Sequence, residues 1–385
     1  MTGATTEFLW RPQLNPADQY WADVAERLTT ERFAPLAAEI DQDQRYPHES
    51  IQPMVDAGLT GLLIPAKYDG QGGSLTAATA VAERIAYGCA STCTVWMSYA
   101  VGVGPLLIAG TDEQKAEVLP YVARGDGISF ALTERHTGSD PSKVRTLAER
   151  DGAGWRIRGE KWMVGNGGQS RYYVVFALTE GSDRLTAFVL DERDGGLVVD
   201  DSMDKMGLRG ATTTNLKIDA WVPARAQLGE LGRGLRIALS SLGNGRVMAA
   251  GQGCGIAAAA FESASRYAME REAFGTKIID FEAISFRLVD IGTELCAARM
   301  LTYAAAAAHD RGEPSREQSS MAKLYASEVS HRAVDTAVQV FGASAYAKPH
   351  IAERLYRDQR VLEIYEGSSE IQRLTLTRGL KSTYS

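Results

Sequence analysis

The run Ile364-Tyr365-Glu366-Gly367-Ser368-Ser369-Glu370-Ile371-Gln372, close to the C-terminus, sets a carboxylate between an aromatic ring and a glycine, with two hydroxyls behind it. A glycine lets the backbone bend sharply and approach a ligand closely. An aromatic that walls off water raises a carboxylate's proton affinity toward that of a useful base. Glu366 is therefore a candidate for proton abstraction at a point where a helix breaks. A solvated glutamate in a surface loop is the plain alternative, and the rest of the chain has to decide.

Other segments carry polar and aromatic groups that suit a ligand. Phe130 to Asp140 offers backbone amides and the hydroxyls of Thr133 and Ser139 to a polar ring edge or to phosphate oxygens, or is simply a polar turn. Lys161 to Gly167 places Trp162 beside a flexible loop, as a core indole or a cofactor wall. Arg271 and Phe274 stand three residues apart, a spacing that can present a cation and a ring to one ligand. Gln339 to Tyr346 ends a helix with a glycine stop.

The elements that must position these groups fall into three regions. Residues 1–126 read as helical: Asp18 to Glu39 with a kink at Pro35, Ile51 to Ala57, Thr76 to Ala86, and Thr111 to Val122 behind a helix-start signal. Residues 127–231 alternate or run apolar over short stretches between turn clusters, which predicts an antiparallel sandwich or barrel. Residues 232–385 return to long helices, Gly245 to Arg271, Phe281 to Asp310, Glu317 to Phe341 and Ile351 to Glu363, which read as a bundle. The fold class is α+β. Gly251-Gln252-Gly253-Cys254-Gly255 has the wrong spacing for a dinucleotide loop and sits in an Ala-rich helix, so its glycines, like Gly102 and Gly104, read as helix-packing contacts.

At 385 residues the chain is long enough for two or three domains. A net charge of −7 argues against a general affinity for nucleic acid. No apolar run approaches the ~20 residues of a bilayer span, and the N-terminus lacks a leader pattern, so no membrane partner is expected. Cys89, Cys93, Cys254 and Cys296 read as free thiols in a reducing cytoplasm, and five scattered histidines offer no metal site.

Taken in order, the segments resemble the acyl-CoA dehydrogenase family over essentially the whole chain. Phe130 to Asp140 is similar to its T-E-P-x-A-G-S-D signature. Lys205-Met206-Gly207-Leu208-Arg209-Gly210 resembles its K-M-G-x-R-G turn, followed by Val222-Pro223. Arg271 to Ile278 matches R-x-x-F-G-x-x-I, Gln339 to Tyr346 is similar to Q-x-x-G-G-x-G-Y, and Arg354 to Gln372 resembles R-x-x-R-D-x-R…I-Y-E-G-T-x-E-I-Q. The resemblance implies a helical N-terminal domain, a middle β-barrel and a C-terminal four-helix bundle, with FAD between barrel and bundle. It implies that Phe130, Leu132, Thr133 and Ser139 line the flavin, with Trp162 and the Val164 backbone on another face. Arg271, Phe274, Gln339, Gly342 and Ala343 would reach the FAD of a partner subunit in a homotetramer or homodimer. Ser368 and Glu370 would contact cofactor, while Ser139, Arg246, Tyr365 and Gly367 would meet substrate. Glu366 would take the α-proton of an acyl thioester, carried on coenzyme A or a carrier protein, as the β-hydrogen leaves as hydride. An electron-transfer flavoprotein would collect the electrons.

The match frays at identifiable places. Arg135 and Thr137 replace the Pro and Ala of the signature, so Arg135 is either an anion contact or a solvated cation. Val164 stands where the family commonly has a Thr whose hydroxyl approaches the flavin. In Leu242-Gly243-Asn244-Gly245-Arg246, similar to L-D-x-G-R, the Asp has become Gly243. Ala343 and Ala345 replace two glycines, and Ser368 replaces a Thr. These changes leave room for a carrier-protein thioester, for a monooxygenase or oxidase on the same fold, and for a scaffold without catalysis.

Overall fold

The computed structural model describes residues 8–385. The N-terminal helices are α1 (Pro16–Leu28), α2 (Ala37–Asp43), α3 (His48–Asp56), α4 (Leu75–Gly88), α5 (Ala90–Ala109) and α6 (Asp112–Ala123). Asn15 caps α1 by accepting from the Asp18 N–H at 2.9 Å. The break expected at Pro35 is there: the chain loosens into a wide π turn over Thr29–Phe33 and a tight 3₁₀ turn over Ala34–Leu36 before α2. In α6, Thr111 and Gln114 exchange a full capping box.

The middle region is one mixed sheet: β1 (Gly127–Ala131), β2 (Leu147–Asp151), β3 (Gly154–Gly165), β4 (Ser170–Thr179), β5 (Leu185–Asp191), β6 (Leu197–Val199), β7 (Thr213–Pro223) and β8 (Gln227–Leu228). Its order is β6-β7-β3-β2-β4-β5-β8, with β1 also on β4. The expectation of a purely antiparallel sheet fails, because β1 and β2 both run parallel to β4. The long excursion between β1 and β4 supplies the crossover that parallel neighbours require, and alternation along single strands cannot reveal it. Trp155, Ile157, Val164, Tyr173, Phe188 and Leu216 build the sheet's own core.

The C-terminal region holds α7 (Gly234–Glu270), a hairpin of β9 (Glu272–Ala273) and β10 (Thr276–Lys277), α8 (Glu282–Asp310), α9 (Arg316–Phe341), α10 (Ile351–Gln359) and α11 (Ser369–Tyr384). The glycines of α7 allow close approach, as read from the sequence: a Cβ at Gly251 would lie 2.7 Å from the Thr79 carbonyl oxygen, and one at Gly253 3.1 Å from that of Ala326. A buried triad ties α4 to α8, with Arg299 Nε donating to Glu83 Oε1 at 2.7 Å and the Tyr303 hydroxyl to Glu83 Oε2 at 2.8 Å. Arg357 pairs bidentately with Asp41, at 2.8 and 2.5 Å. The Leu208 N–H donates to buried Asp358 at 2.6 Å, so α2, the 205–210 turn and α10 are locked together.

Helix α5 is the element that the sequence pattern hid. Its length and composition suit a bilayer span, which corrects the expectation that no such run exists, but 67% of its apolar window is buried inside the protein. It is apolar on most sides because most of its surface packs against the rest of the protein. Cys89 and Cys93 at its start and Cys254 on α7 are buried free thiols; Cys296 is half-buried.

Candidate active site

The base loop follows a 3₁₀ turn over Arg360–Glu363 and precedes α11, whose N-cap is Ser368. Two consecutive residues, Glu366 at φ +54° and Gly367 at φ +88°, reverse the backbone between them. A left-handed glutamate is uncommon and persists only where surroundings impose it. Here three helices do so. Gln372 on α11 donates to the carbonyls of Glu366 and Gly367 at 3.1 and 2.8 Å, Lys323 on α9 donates to the Gly367 carbonyl at 2.7 Å, and Arg246 on α7 reaches the Glu366 carbonyl at 3.4 Å. On the other side the Tyr365 hydroxyl donates to Gln252 Oε1, and Gln252 Nε2 donates to Thr94 Oγ1 at 2.9 Å. The Tyr365 hydroxyl thus anchors the loop to α7 and α5.

The result is a carboxylate held ready. Glu366 Oε2 is buried and has no hydrogen-bond partner. Burial pushes the Glu366 carboxyl up to about 7, against the opposing pull of the Arg246 and Lys323 cations. The Glu366 main-chain N–H donates to no acceptor among the described residues. One residue therefore presents both a proton acceptor and a free N–H, the donor that a developing oxyanion needs.

Helix α5 brings the sheet to this loop. A Cβ at Gly165, at the end of β3, would lie 3.2 Å from Ser98 Oγ; one at Gly245 would lie 3.4 Å from Val101 Cγ2 and would collide with Glu366 Oε2. Ser98 and Val101 are one turn apart on α5 and share a face. Asn166 Nδ2, just beyond β3, donates to the Val95 carbonyl at 3.0 Å. Replacing Gly245 with Ala should therefore displace the base and slow flavin reduction about a hundredfold while flavin stays bound. An unchanged single-turnover rate would show that Glu366 is free to move aside.

The expected cofactor residues divide into groups. Phe130, Leu132 and Thr133 lie at or just beyond the end of β1, and the Thr133 carbonyl accepts from the Trp162 N–H at 2.8 Å, joining the two stretches. Ser139 is exposed in the turn beyond them. Arg135 lies over the Trp162 ring at 5.8 Å, so its charge has a π partner. At position 164 the geometry corrects the sequence reading. A bulge between Lys161 and Val164 turns Met163 outward at φ +60° and packs the Val164 side chain into the sheet core. A hydroxyl there would point away from the α5 face; the residue on that face is Gly165.

Arg271, Phe274, Gln339, Gly342 and Ala343 lie elsewhere, at the far end of the bundle, where Tyr267 of α7 and Phe341 of α9 stack at 4.6 Å. From Arg246 to Arg271 the helix rises roughly 38 Å. Phe274 is 98% exposed at φ +54°. One chain does not bring this group to Glu366, as expected if it serves another subunit's site. Ser368 spends its side chain capping α11, with the Ile371 N–H at 3.4 Å, and Glu370 is exposed in the first helical turn.

Sequence reasoning missed Gln252, Lys323, Gly165 and the α5 residues Thr94 and Ser98. It also missed an arginine-lined cleft of about 620 Å³ formed by Arg184, Arg233, Arg236, Leu239, Ser240 and Arg316. Arg236, Leu239, Gly243 and Arg246 recur at three- and four-residue spacing, on one face of α7. A Cβ at Gly243 would meet nothing within 4 Å. The cleft thus opens about 15 Å along the helix from the base.

Comparison with known proteins agrees with this arrangement. Sequence profiles of the acyl-CoA dehydrogenase N-terminal, middle and C-terminal domains match residues 15–126, 129–221 and 232–381. The short-chain specific acyl-CoA dehydrogenase of Bos taurus mitochondria is 38% identical over 91% of this chain and 86% of its own length. Butyryl-CoA dehydrogenase from Megasphaera elsdenii superposes with a TM-score of 0.93 at 32% identity, covering 97% of this chain and 100% of its own. The prolyl acyl carrier protein oxidase AnaB superposes with a TM-score of 0.91 at 28% identity, over 96% and 100% of the two chains. With the motifs in register, the fold superposable and a buried carboxylate at the expected position, the chain belongs to the acyl-CoA dehydrogenase family and is a flavin oxidoreductase acting on CH–CH bonds.

Proposed function

We propose that this enzyme is an FAD-dependent α,β-dehydrogenase of an acyl thioester borne on a phosphopantetheine arm. The observation that carries the reading is Glu366 itself, whose unpartnered carboxylate oxygen and free main-chain N–H stand in one reversed loop. A thioester carbonyl resting on that N–H gains acidity at its α-carbon, and Glu366 Oε2 accepts the α-proton. FAD, when bound, supplies the hydride acceptor for the β-hydrogen, and the product is a trans-2-enoyl thioester. The residues present fit it: position 165, against Ser98 of α5, carries no side chain, and the Thr133 and Trp162 stretches are held together by a backbone hydrogen bond. Arg271, Phe274, Gln339, Gly342 and Ala343 would complete the cofactor site of a second copy.

The arginine cleft supports an arm-borne substrate. Four guanidinium groups, with Asp183 beside them, line a cleft at the N-terminal end of α7, and Arg236 in it lies roughly 15 Å along the helix from Arg246, which suits the phosphate of an arm whose thioester end reaches Glu366. A small free acid would leave that length unused. Both coenzyme A and an acyl-carrier protein have this chemistry, and AnaB gives the second a precedent on the fold. Anaerobic titration with a series of acyl thioesters, each as the coenzyme A and the carrier-linked form, should bleach the flavin; no bleaching by any of them would refute the reading. Reoxidation of the bleached enzyme, by an electron-transfer flavoprotein or by dioxygen, distinguishes a dehydrogenase from an oxidase.

A further inference from the structure

Lys323 is a buried cation that the dehydrogenation chemistry does not itself require. It sits in the middle of α9, 1% exposed, and its ammonium makes one hydrogen bond, to the Gly367 carbonyl at 2.7 Å. Among the described residues no carboxylate is in ion-pair contact with it. Lys161, the other deeply buried lysine, has Glu134 at 2.8 Å. Burying an ammonium without an ion-pair partner is unfavourable, so a fold that keeps one holds it against a steady penalty. The single partner it has is the carbonyl of the residue after Glu366.

We infer that Lys323 is a positioning residue for Glu366: its ammonium fixes the reversed backbone at Gly367 and faces the adjacent carboxylate with a buried positive charge. The inference rests on Glu366 acting as the base. Both halves follow from the geometry. Gly367 is left-handed, the Glu366 carboxylate lies against Gly245, and Lys323 holds the Gly367 carbonyl from α9 while Gln372 holds it from α11.

The charges that face the pair come from several elements. Arg246 on α7 adds a second cation to Glu366, while Glu363 in the 3₁₀ turn and Glu370 on α11 act on Lys323. Burial, partly offset by Glu366, brings the Lys323 ammonium down to about 8, close to the carboxyl at about 7. The two therefore titrate as a coupled pair. A positive Lys323 favours the ionised, proton-accepting form of Glu366.

The test compares Lys323→Gln, which keeps a hydrogen-bond donor and removes the charge, with Lys323→Arg, which keeps the charge. In the parent, flavin reduction by a substrate thioester should rise with pH along a limb set by Glu366. In Lys323→Gln that limb should move about one pH unit upward, lowering the rate roughly fivefold at pH 7 and roughly tenfold well below it, with KM within about twofold. Lys323→Arg should keep the parental limb. A Lys323→Gln limb that coincides with the parent's, or a loss confined to KM, overturns the inference. If Lys323→Gln does not fold, the reciprocal measurement decides: in Glu366→Gln, the Lys323 resonance of isotope-labelled lysine should titrate at lower pH than in the parent. An unchanged Lys323 titration there overturns it as well. A parent that no thioester bleaches refutes the proposed function instead, and the reciprocal titration still judges the coupling.

Discussion

Replacing Glu366 with Gln should abolish reduction of the flavin by every acyl thioester while leaving the flavin bound. The rate should fall by at least about 10³-fold, within the 10²–10⁴ that a positioned base contributes, plus the loss of the only proton acceptor at the α-carbon. Glutamine keeps the size of the side chain and the free main-chain N–H, so binding of substrate should change little. In the parent the same rate should rise with pH through about 7, because the carboxyl must lose its proton before it can accept one. Stability should move the opposite way. A carboxyl whose folded-state value is raised binds its proton more tightly when folded, so its contribution is full below the ordinary value of 4.5 and is lost as pH rises through about 7. At pH 8 the ionised, buried Glu366 destabilises the fold, and Glu366→Gln should be more stable by an amount on the order of 3 kcal/mol and unfold at higher temperature. At pH 5 the difference should nearly vanish. Calorimetry at the two pH values, beside anaerobic stopped-flow absorbance, reads both effects. A variant that still reduces flavin at the parental rate would remove Glu366 from the chemistry.

Much of this site is written locally. The broken helix and the sharply bent glycine of the base loop are properties of a nine-residue run, and the structure realises both; sequence reasoning missed the capping role of Ser368. What was hidden is long-range. Helix α5 has no clear hydrophobic period because most of its surface is covered, so pattern reading passes over the spine that joins Asn166, Gln252 and the base loop. The parallel pairing of β1 and β2 with β4 leaves no trace in single-strand alternation. At Val164 an alternation count is thrown off by the bulge, which exchanges inside for outside within one residue. Lys323 was concealed by chemistry. Ser320, Lys323, Ser327 and Ser330 recur at three- and four-residue spacing, which reads as a wet face of α9, yet all four are buried. A polar stripe can face the core when it faces a site.

A second buried lysine predicts a large effect of another kind. Lys161 has a fully buried side chain, and its ammonium donates to Glu134 Oε1 at 2.8 Å and to the Leu132 carbonyl at 3.2 Å. Glu134 also accepts from the Thr146 N–H at 3.0 Å, the Thr146 hydroxyl at 2.6 Å and the Arg145 N–H at 2.7 Å. Burial works against its ionisation, but Lys161 and these donors outweigh it and hold the carboxyl below the ordinary value. Lys161→Met would leave that carboxylate buried and without its cation. Breaking one side of a buried pair costs about 3–5 kcal/mol. The segment from Leu132 to Thr133, which lines the proposed flavin site, would lose its tether at the same time, so FAD should dissociate more readily. Lys161→Met combined with Glu134→Gln should recover part of the stability, because no charge is stranded and the amide oxygen can still accept from Thr146, although its NH2 then faces the Arg145 N–H. The flavin should not recover equally, since the Leu132 carbonyl still lacks its ammonium. Denaturant midpoints of the single and double variants, with flavin fluorescence released on dilution, separate the two roles. A single variant within about 1 kcal/mol of the parent would mean that the pair contributes little to holding the sheet against the cofactor site.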